Sequence, residues 1–219
     1  MAHFSNYVIA YDAERAENSH LNCPKDDTCP ISAFTDASAT AWYHDGVHFA
    51  LENGIMSGYG NGKFGPGDTT SRAMMAQILW NMEGKPVVSG EIKFVDVADG
   101  TWYTEAVRWA SDVGIITGSK IPAKTTPWPM GFRPDDAVTR EQLAAMLYRY
   151  AQYKKADTSA SASLGSFGDA DAVSDWAASA MQWAVGSGII NGIDGNLVPA
   201  DNATRAQVAT MLMRYSTAK

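Results

Sequence analysis

The sequence predicts an all-α fold of helical repeats joined by long loops. One ordered set of landmarks occurs three times, and each copy holds two segments with apolar residues at helical spacing. No stretch between them alternates apolar and polar residues as a half-buried strand would.

Each copy opens with Phe-x-Asp: Phe34-Thr35-Asp36, Phe94-Val95-Asp96 and Phe167-Gly168-Asp169. Eight or nine residues after the Phe comes Trp42, Trp102 or Trp176, and twelve after that Gly54, Gly114 or Gly188, each followed by Ile. A loop then leads to Pro66, Pro134 or Pro199, to Asp68, Asp136 or Asp201, and to Arg72, Arg140 or Arg205. Six landmarks in one order, three times over, are not chance.

The segment between Trp and Gly is a first helix. In the second copy Ala106, Val107, Ala110 and Val113 form one apolar face. The glycine stands where a left-handed residue ends a helix, with the Ile packing back behind it. A second helix follows the arginine. Its apolar face is Met75, Ile78, Leu79 and Met82, then Leu143, Met146, Leu147 and Tyr150, then Val208, Met211, Leu212 and Tyr215. Ser71, Thr139 and Thr204 are the expected N-caps; Gln142 and Gln207 complete capping boxes, whereas Met74 breaks the first. Two amphipathic helices cannot bury both faces alone, so the copies must pack on one another.

This divides the chain into repeats at 34–84, 94–151 and 167–216, with exposed linkers at 83–91 and 154–165. The second repeat has a longer loop, 119–130, carrying Trp128 between two prolines. Residues 1–33 match no repeat, and Tyr7-Val8-Ile9-Ala10-Tyr11 reads as the last strand of a preceding domain.

Composition narrows the function. At 219 residues with 46% hydrophobic and 19% charged content, the chain is an ordinary globular one. A net charge of −7 argues against a duplex nucleic-acid partner, which needs a basic face. No apolar run is long enough for a membrane span, and no secretory leader opens the sequence, which points to a cytosolic protein or a piece of a longer secreted one. The two cysteines, Cys23 and Cys29, have no histidine at finger-like spacing beyond them on this reading. A local disulfide is expected, with a reduced, inert pair as the alternative.

The ordered landmarks resemble the S-layer homology family over about residues 34–216. Its Thr-Arg-Ala-Glu-like tetrapeptide is Ser71-Arg72-Ala73-Met74, Thr139-Arg140-Glu141-Gln142 and Thr204-Arg205-Ala206-Gln207 here. The resemblance implies a pseudo-threefold spindle around a central three-helix bundle. It also implies an extracellular module, part of a longer surface protein, that anchors non-covalently to an anionic secondary cell-wall polymer, often through pyruvylated amino sugars. The motif arginine, the tryptophan and the glycine would form grooves between repeats. No copy keeps the motif Glu, the third has Ala177 in place of Tyr43 and Tyr103, and Leu197 in place of Phe64 and Phe132.

Candidate ligand-binding residues are therefore Arg72, Arg140, Arg205, Trp42, Trp102, Trp176, Gly54, Gly114, Gly188, Asp68, Asp136 and Asp201. An arginine at the first position of a helix opposes the helix dipole, so three such choices ask for a reason. One reading is capture of a carboxylate beside free helix N–H groups; the other is an internal bridge to the Asp four residues earlier. The three tryptophans are either sugar platforms or core, whereas Trp109 and Trp183 read as core. The second repeat retains most of the motif, so Arg140 is expected to matter most. His44 and His48 have the spacing of a zincin helix, but Asp45 replaces the catalytic Glu and the equivalents Thr104, Arg108, Ala178 and Gln182 point to a solvent-facing stripe. No metal, cofactor or catalytic group is expected. A protein–protein module of a surface lattice is the competing function, and a small helical hydrolase a third.

Overall fold

The computed structural model describes residues 20–121 and 129–218. The strand expected at Tyr7–Tyr11 and Trp128 lie outside them. Among the described residues six α-helices alternate between first and second helices of the repeats: α1 (His44–Glu52), α2 (Arg72–Met82), α3 (Thr104–Asp112), α4 (Arg140–Tyr153), α5 (Ala178–Gly186) and α6 (Arg205–Thr217). A two-residue ribbon closes the long loop of the second repeat: β1 (Ser119–Lys120) pairs antiparallel with β2 (Met130–Gly131). Among the described residues no helix is long and apolar enough to cross a membrane.

The first helices end as their glycines predict. Gly54, Gly114 and Gly188 have φ of 63°, 76° and 70°. Behind them Ile55, Ile115 and Ile189 donate back to Ala50, Ala110 and Ala184 O at 2.9, 2.9 and 2.8 Å. These are Schellman closures, which need the left-handed residue that glycine supplies without strain. The second helices begin at Arg72, Arg140 and Arg205, with complete capping boxes at Thr139 and Thr204 and half a box at Ser71.

The helices pair across repeats. α2 packs on α3, α4 on α5, and α6 returns to α1, which closes the chain into a ring. At the last junction Gly46 lies so near Thr210 that a Cβ there would stand 2.5 Å from its Cα, so any side chain would push the two helices apart. The second helices surround the common axis. At their N-terminal ends Thr70 N–H donates to Ala203 O (2.9 Å), Ala203 N–H to Val138 O (2.8 Å) and Val138 N–H to Thr70 O (2.9 Å). At the other end Tyr150 of α4 rests on Tyr215 of α6, ring centroids 5.6 Å apart, and its hydroxyl donates to Glu83 just beyond α2 (2.9 Å). Burial beside Glu83 pushes the Tyr150 and Tyr215 hydroxyls up, the latter to about 12.

The expected apolar faces fill this interior, with Met75, Leu79, Leu143, Leu147, Val208 and Leu212 fully buried. Trp109 and Trp183 are core, as expected. Residues 20–33 pack on α1: Ile31 enters the core and buried His20 stands edge-on to Phe49.

Two expectations fail here. Cys23 and Cys29 are free thiols, not a disulfide. His44 and His48 are buried, 1% and 6% exposed, and so is Thr104 at 3%, so the expected solvent-facing stripe fails at these three positions, while Arg108, Ala178 and Gln182 are half-buried. The Cys29 sulfur turns toward the two imidazoles instead.

Candidate functional site

Each motif arginine works on a neighbouring repeat. The Arg72 and Ala73 N–H groups donate to Asp136 O and Pro134 O, both at 2.9 Å. Arg140 and Glu141 donate to Asp201 O and Pro199 O, and Arg205 and Ala206 to Asp68 O and Pro66 O, at 2.8–3.0 Å. The Pro-x-Asp segment of one repeat thus caps the second helix of another through its carbonyls. The leading helix N–H groups are taken, so the helix start is not an open anion cradle as the sequence suggested.

The guanidinium follows its backbone. Nε of Arg72, Arg140 and Arg205 donates to the carbonyls of Phe132, Leu197 and Phe64, at 2.6, 2.9 and 2.8 Å. The same three residues offer their N–H groups to the Phe-x-Asp carboxylates: Phe64 to Asp36, Phe132 to Asp96 and Leu197 to Asp169, at 2.7–2.8 Å. The opening Asp therefore fixes the turn whose carbonyl receives an arginine from elsewhere in the ring. The expected bridges from each arginine to Asp68, Asp136 or Asp201 are absent among the described residues; Asp136 pairs loosely with Arg133 instead, at 3.6 Å. Toward the motif arginines those aspartates act through their backbone carbonyls.

The three arginines are not equally occupied. Arg72 Nη2 also donates to Thr117 O (2.8 Å), and Arg205 Nη2 to Ser57 O (2.6 Å). Arg205 lies over the rings of Tyr59 and Phe64, and Arg72 over Phe132. Arg140 has Leu197 where the others have Phe, hence no ring to lie on, and the single protein hydrogen bond of its guanidinium among the described residues is the one from Nε. It is 4% exposed. Burial pulls its pKa down while Asp201 and Asp169 oppose this, neither of them within ion-pair reach; a guanidinium stays charged at neutral pH regardless. Its Nη groups have no protein partner among the described residues and open onto a cleft.

Arg140 lines a cleft of about 470 Å³ whose floor belongs to the third repeat: Ile189–Asp194, then Gln207, Met211 and Arg214 of α6. Its opposite edge is Trp42 of the first repeat. A second cleft, also about 470 Å³, has its floor in the first repeat, with Met74, Gln77, Ile78 and Asn81 of α2, Trp102 from the second repeat and Arg205 from the third. Each cleft thus draws its floor, its tryptophan and its arginine from three different repeats. Arg72 extends to the corresponding loop of the second repeat at Thr117.

Trp42, Trp102 and Trp176 are 68%, 61% and 57% exposed, which rules out a core role and leaves their faces open. Tyr43 and Tyr103 brace the first two edge-on. Gly54 and Gly188 set the direction of the floor loop, while the lining itself begins at the following Ile. Residues nine positions after the motif arginines escaped the sequence reading. Arg149 and Arg214 donate to Ile115 O and Ile189 O at 3.5 and 3.2 Å, and Asn81 stands in their place in the first repeat, on Ile55 O at 3.0 Å. Two floors therefore carry a second guanidinium and one a neutral amide.

The S-layer homology domain matches this chain three times, at residues 33–76, 93–144 and 166–209. An amylopullulanase of Thermoanaerobacterium thermosulfurigenes is 33% identical over 178 residues, 78% of this chain and 9% of that protein. The surface-layer 125 kDa protein of Lysinibacillus sphaericus is 29% identical over 174 residues, 78% of this chain and 14% of that one. The S-layer protein sap of Bacillus anthracis is 27% identical over 197 residues, 84% and 22% respectively. The chain spans less than a quarter of the length of these relatives. With three matched copies covering more than half its residues and closing into one ring of helix pairs, the chain belongs to the S-layer homology domain family, a non-catalytic anchoring module of the bacterial cell surface.

Proposed function

We propose that this module, with repeats at 34–84, 94–151 and 167–216, holds a longer surface protein on the cell wall by binding a carboxylate-bearing glycan of the secondary cell-wall polymer in its inter-repeat clefts. The carrying observation is the pairing of a buried, under-partnered guanidinium, Arg140, with an exposed indole, Trp42, in one cleft. The indole face takes a sugar ring by apolar contact, and the free Nη groups take a planar carboxylate such as a pyruvyl ketal. Arg214 adds a second positive charge on the floor. With a chain net charge of −7, anion binding must come from such local sites and not from the overall field. The relatives, named as surface-layer proteins and as an amylopullulanase, support a module joined to varied cargo.

Purified cell walls, before and after chemical removal of the secondary polymer, test the reading. Binding should be lost with the polymer. Undiminished binding to stripped walls, or assembly with other protein chains in their absence, would favour the lattice module instead.

A further inference from the structure

We propose that Cys23, Cys29, His44 and His48 form a tetrahedral site for one zinc ion, independent of the glycan clefts. Their donor atoms all lie within 4.8 Å of one another, three of the four residues being buried. Cys29 Sγ is 3.4 Å from His44 Nε2 and 3.9 Å from His48 Nδ1. A zinc tetrahedron with bonds of about 2.3 Å to sulfur and about 2.0 Å to nitrogen has S···N edges of roughly 3.6 Å, between those two values.

The ring nitrogens explain why a cation fits better than a bare pair of thiols. His44 turns its other nitrogen, Nδ1, to Asp45 Oδ1 at 2.7 Å, and His48 turns Nε2 to Glu52 Oε2 at 3.7 Å. Where those far nitrogens carry the proton for a carboxylate, the near ones present lone pairs, and both are aimed at Cys29. One thiol hydrogen cannot satisfy two buried acceptors. A cation at the centre satisfies both imidazoles and both sulfurs, with the Asp45 carboxylate hydrogen-bonded to His44 as at a metal-bound imidazole and Glu52 a looser neighbour of His48 at 3.7 Å. Lys25 N–H donates to Cys23 Sγ at 3.4 Å, a contact that favours a thiolate over a thiol. Two soft and two borderline donors select zinc over calcium or magnesium.

The donors come from two pieces of chain. His44 and His48 sit one turn apart on α1, and the cysteines flank the turn that leads into Pro30–Ala33 against that helix. Read in order they run Cys-x5-Cys-x14-His-x3-His, close to finger spacing, which corrects the reading that no histidine stands at such a distance beyond the cysteines. The ion would fasten residues 20–33 to the helix that closes the ring against α6.

The test uses the whole chain, reduced, stripped with chelator and dialysed. Zinc returned in excess and dialysed away should leave one equivalent bound. Cobalt should give the intense visible bands of a tetrahedral site and a thiolate charge-transfer band in the near ultraviolet. Cys23→Ser should abolish that charge-transfer pattern or weaken it, and Asp45→Ala should lower zinc affinity about 10–100-fold while leaving the ligand set intact. Zinc, and not magnesium, should raise the melting temperature of the stripped protein. Failure of the reduced wild-type chain to retain zinc, an octahedral cobalt spectrum, or a Cys23–Cys29 disulfide in the protein as first isolated would each overturn the proposal.

Discussion

Arg140 and Trp42 belong to different repeats, yet they line one cleft whose floor is supplied by the remaining repeat. Arg140→Ala should therefore weaken glycan binding about ten- to a hundredfold, the value of a charge-assisted contact of roughly 1.5–3 kcal/mol. Arg140→Lys should not restore it, because an ammonium lacks the planar fork. Combined with Trp42→Ala the losses should be non-additive; combined with Trp102→Ala, in another cleft, they should add. Isothermal titration of Arg140→Ala, Arg140→Lys, the two single tryptophan variants and the two doubles decides this, and equal coupling to both tryptophans would defeat the cross-repeat assignment.

The second guanidinium separates the clefts. Arg214→Asn makes the third-repeat floor resemble that of the first repeat, where Asn81 stands. It should lower affinity and flatten the salt dependence of binding, since one positive charge is gone. Asn81→Arg should act in the opposite direction on the Arg205–Trp102 cleft. Affinity that ignores both changes at low and at high salt would place the charge requirement elsewhere.

The backbone ring of Thr70, Val138 and Ala203 joins all three repeats at buried positions. Val138→Pro deletes the N–H that reaches Thr70 O and leaves that carbonyl buried without its donor, at a cost of about 1–3 kcal/mol from this bond alone. Denaturant melts should show a lower midpoint with all three repeats still unfolding together. Loss confined to the second repeat, with the others melting as in the parent, would show that the ring does not couple them.

Acid should loosen the first repeat through Asp36. Burial would raise its pKa, but hydrogen bonds from the Phe64 and Gly65 N–H groups outweigh that and hold the carboxyl below its usual range. A folded pKa below the unfolded one contributes stability that is complete above the unfolded value, about 4, and fades as pH falls through the folded value. The stability gap between the parent and Asp36→Asn should then be constant from neutral pH to about 5 and shrink below 4. A gap of constant size down to pH 2 would remove Asp36 from the acid response.

The helices, their caps and their glycine endings were legible because each is written locally: a periodic face, a Thr three residues before a Gln, a Gly twelve after a Trp. The candidate residues were legible as types, since Arg140 and Trp42 each recur in register. Their grouping was not. The ring shifts every contact by one repeat in each direction, and no local pattern encodes which arginine meets which tryptophan. The Leu197 departure leaves Arg140 without a ring and with open Nη groups, a consequence that appears only once the two repeats are in contact. Arg149 and Arg214 stayed hidden because Asn81 breaks their series. Cys23, Cys29, His44 and His48 occur once, and searching by repeats set aside what does not repeat.

Contact between α6 and α1 leaves no free end in the ring. An open solenoid grows by adding units and needs special ends to cover its last apolar face. Here the last helix meets the first, so no surface waits for a fourth unit and no capping unit is needed. The architecture counts to three and stops. A surface protein that needs more grip on the wall cannot lengthen this array by one copy; it must add another complete set of three, or gather several chains on the same stretch of polymer.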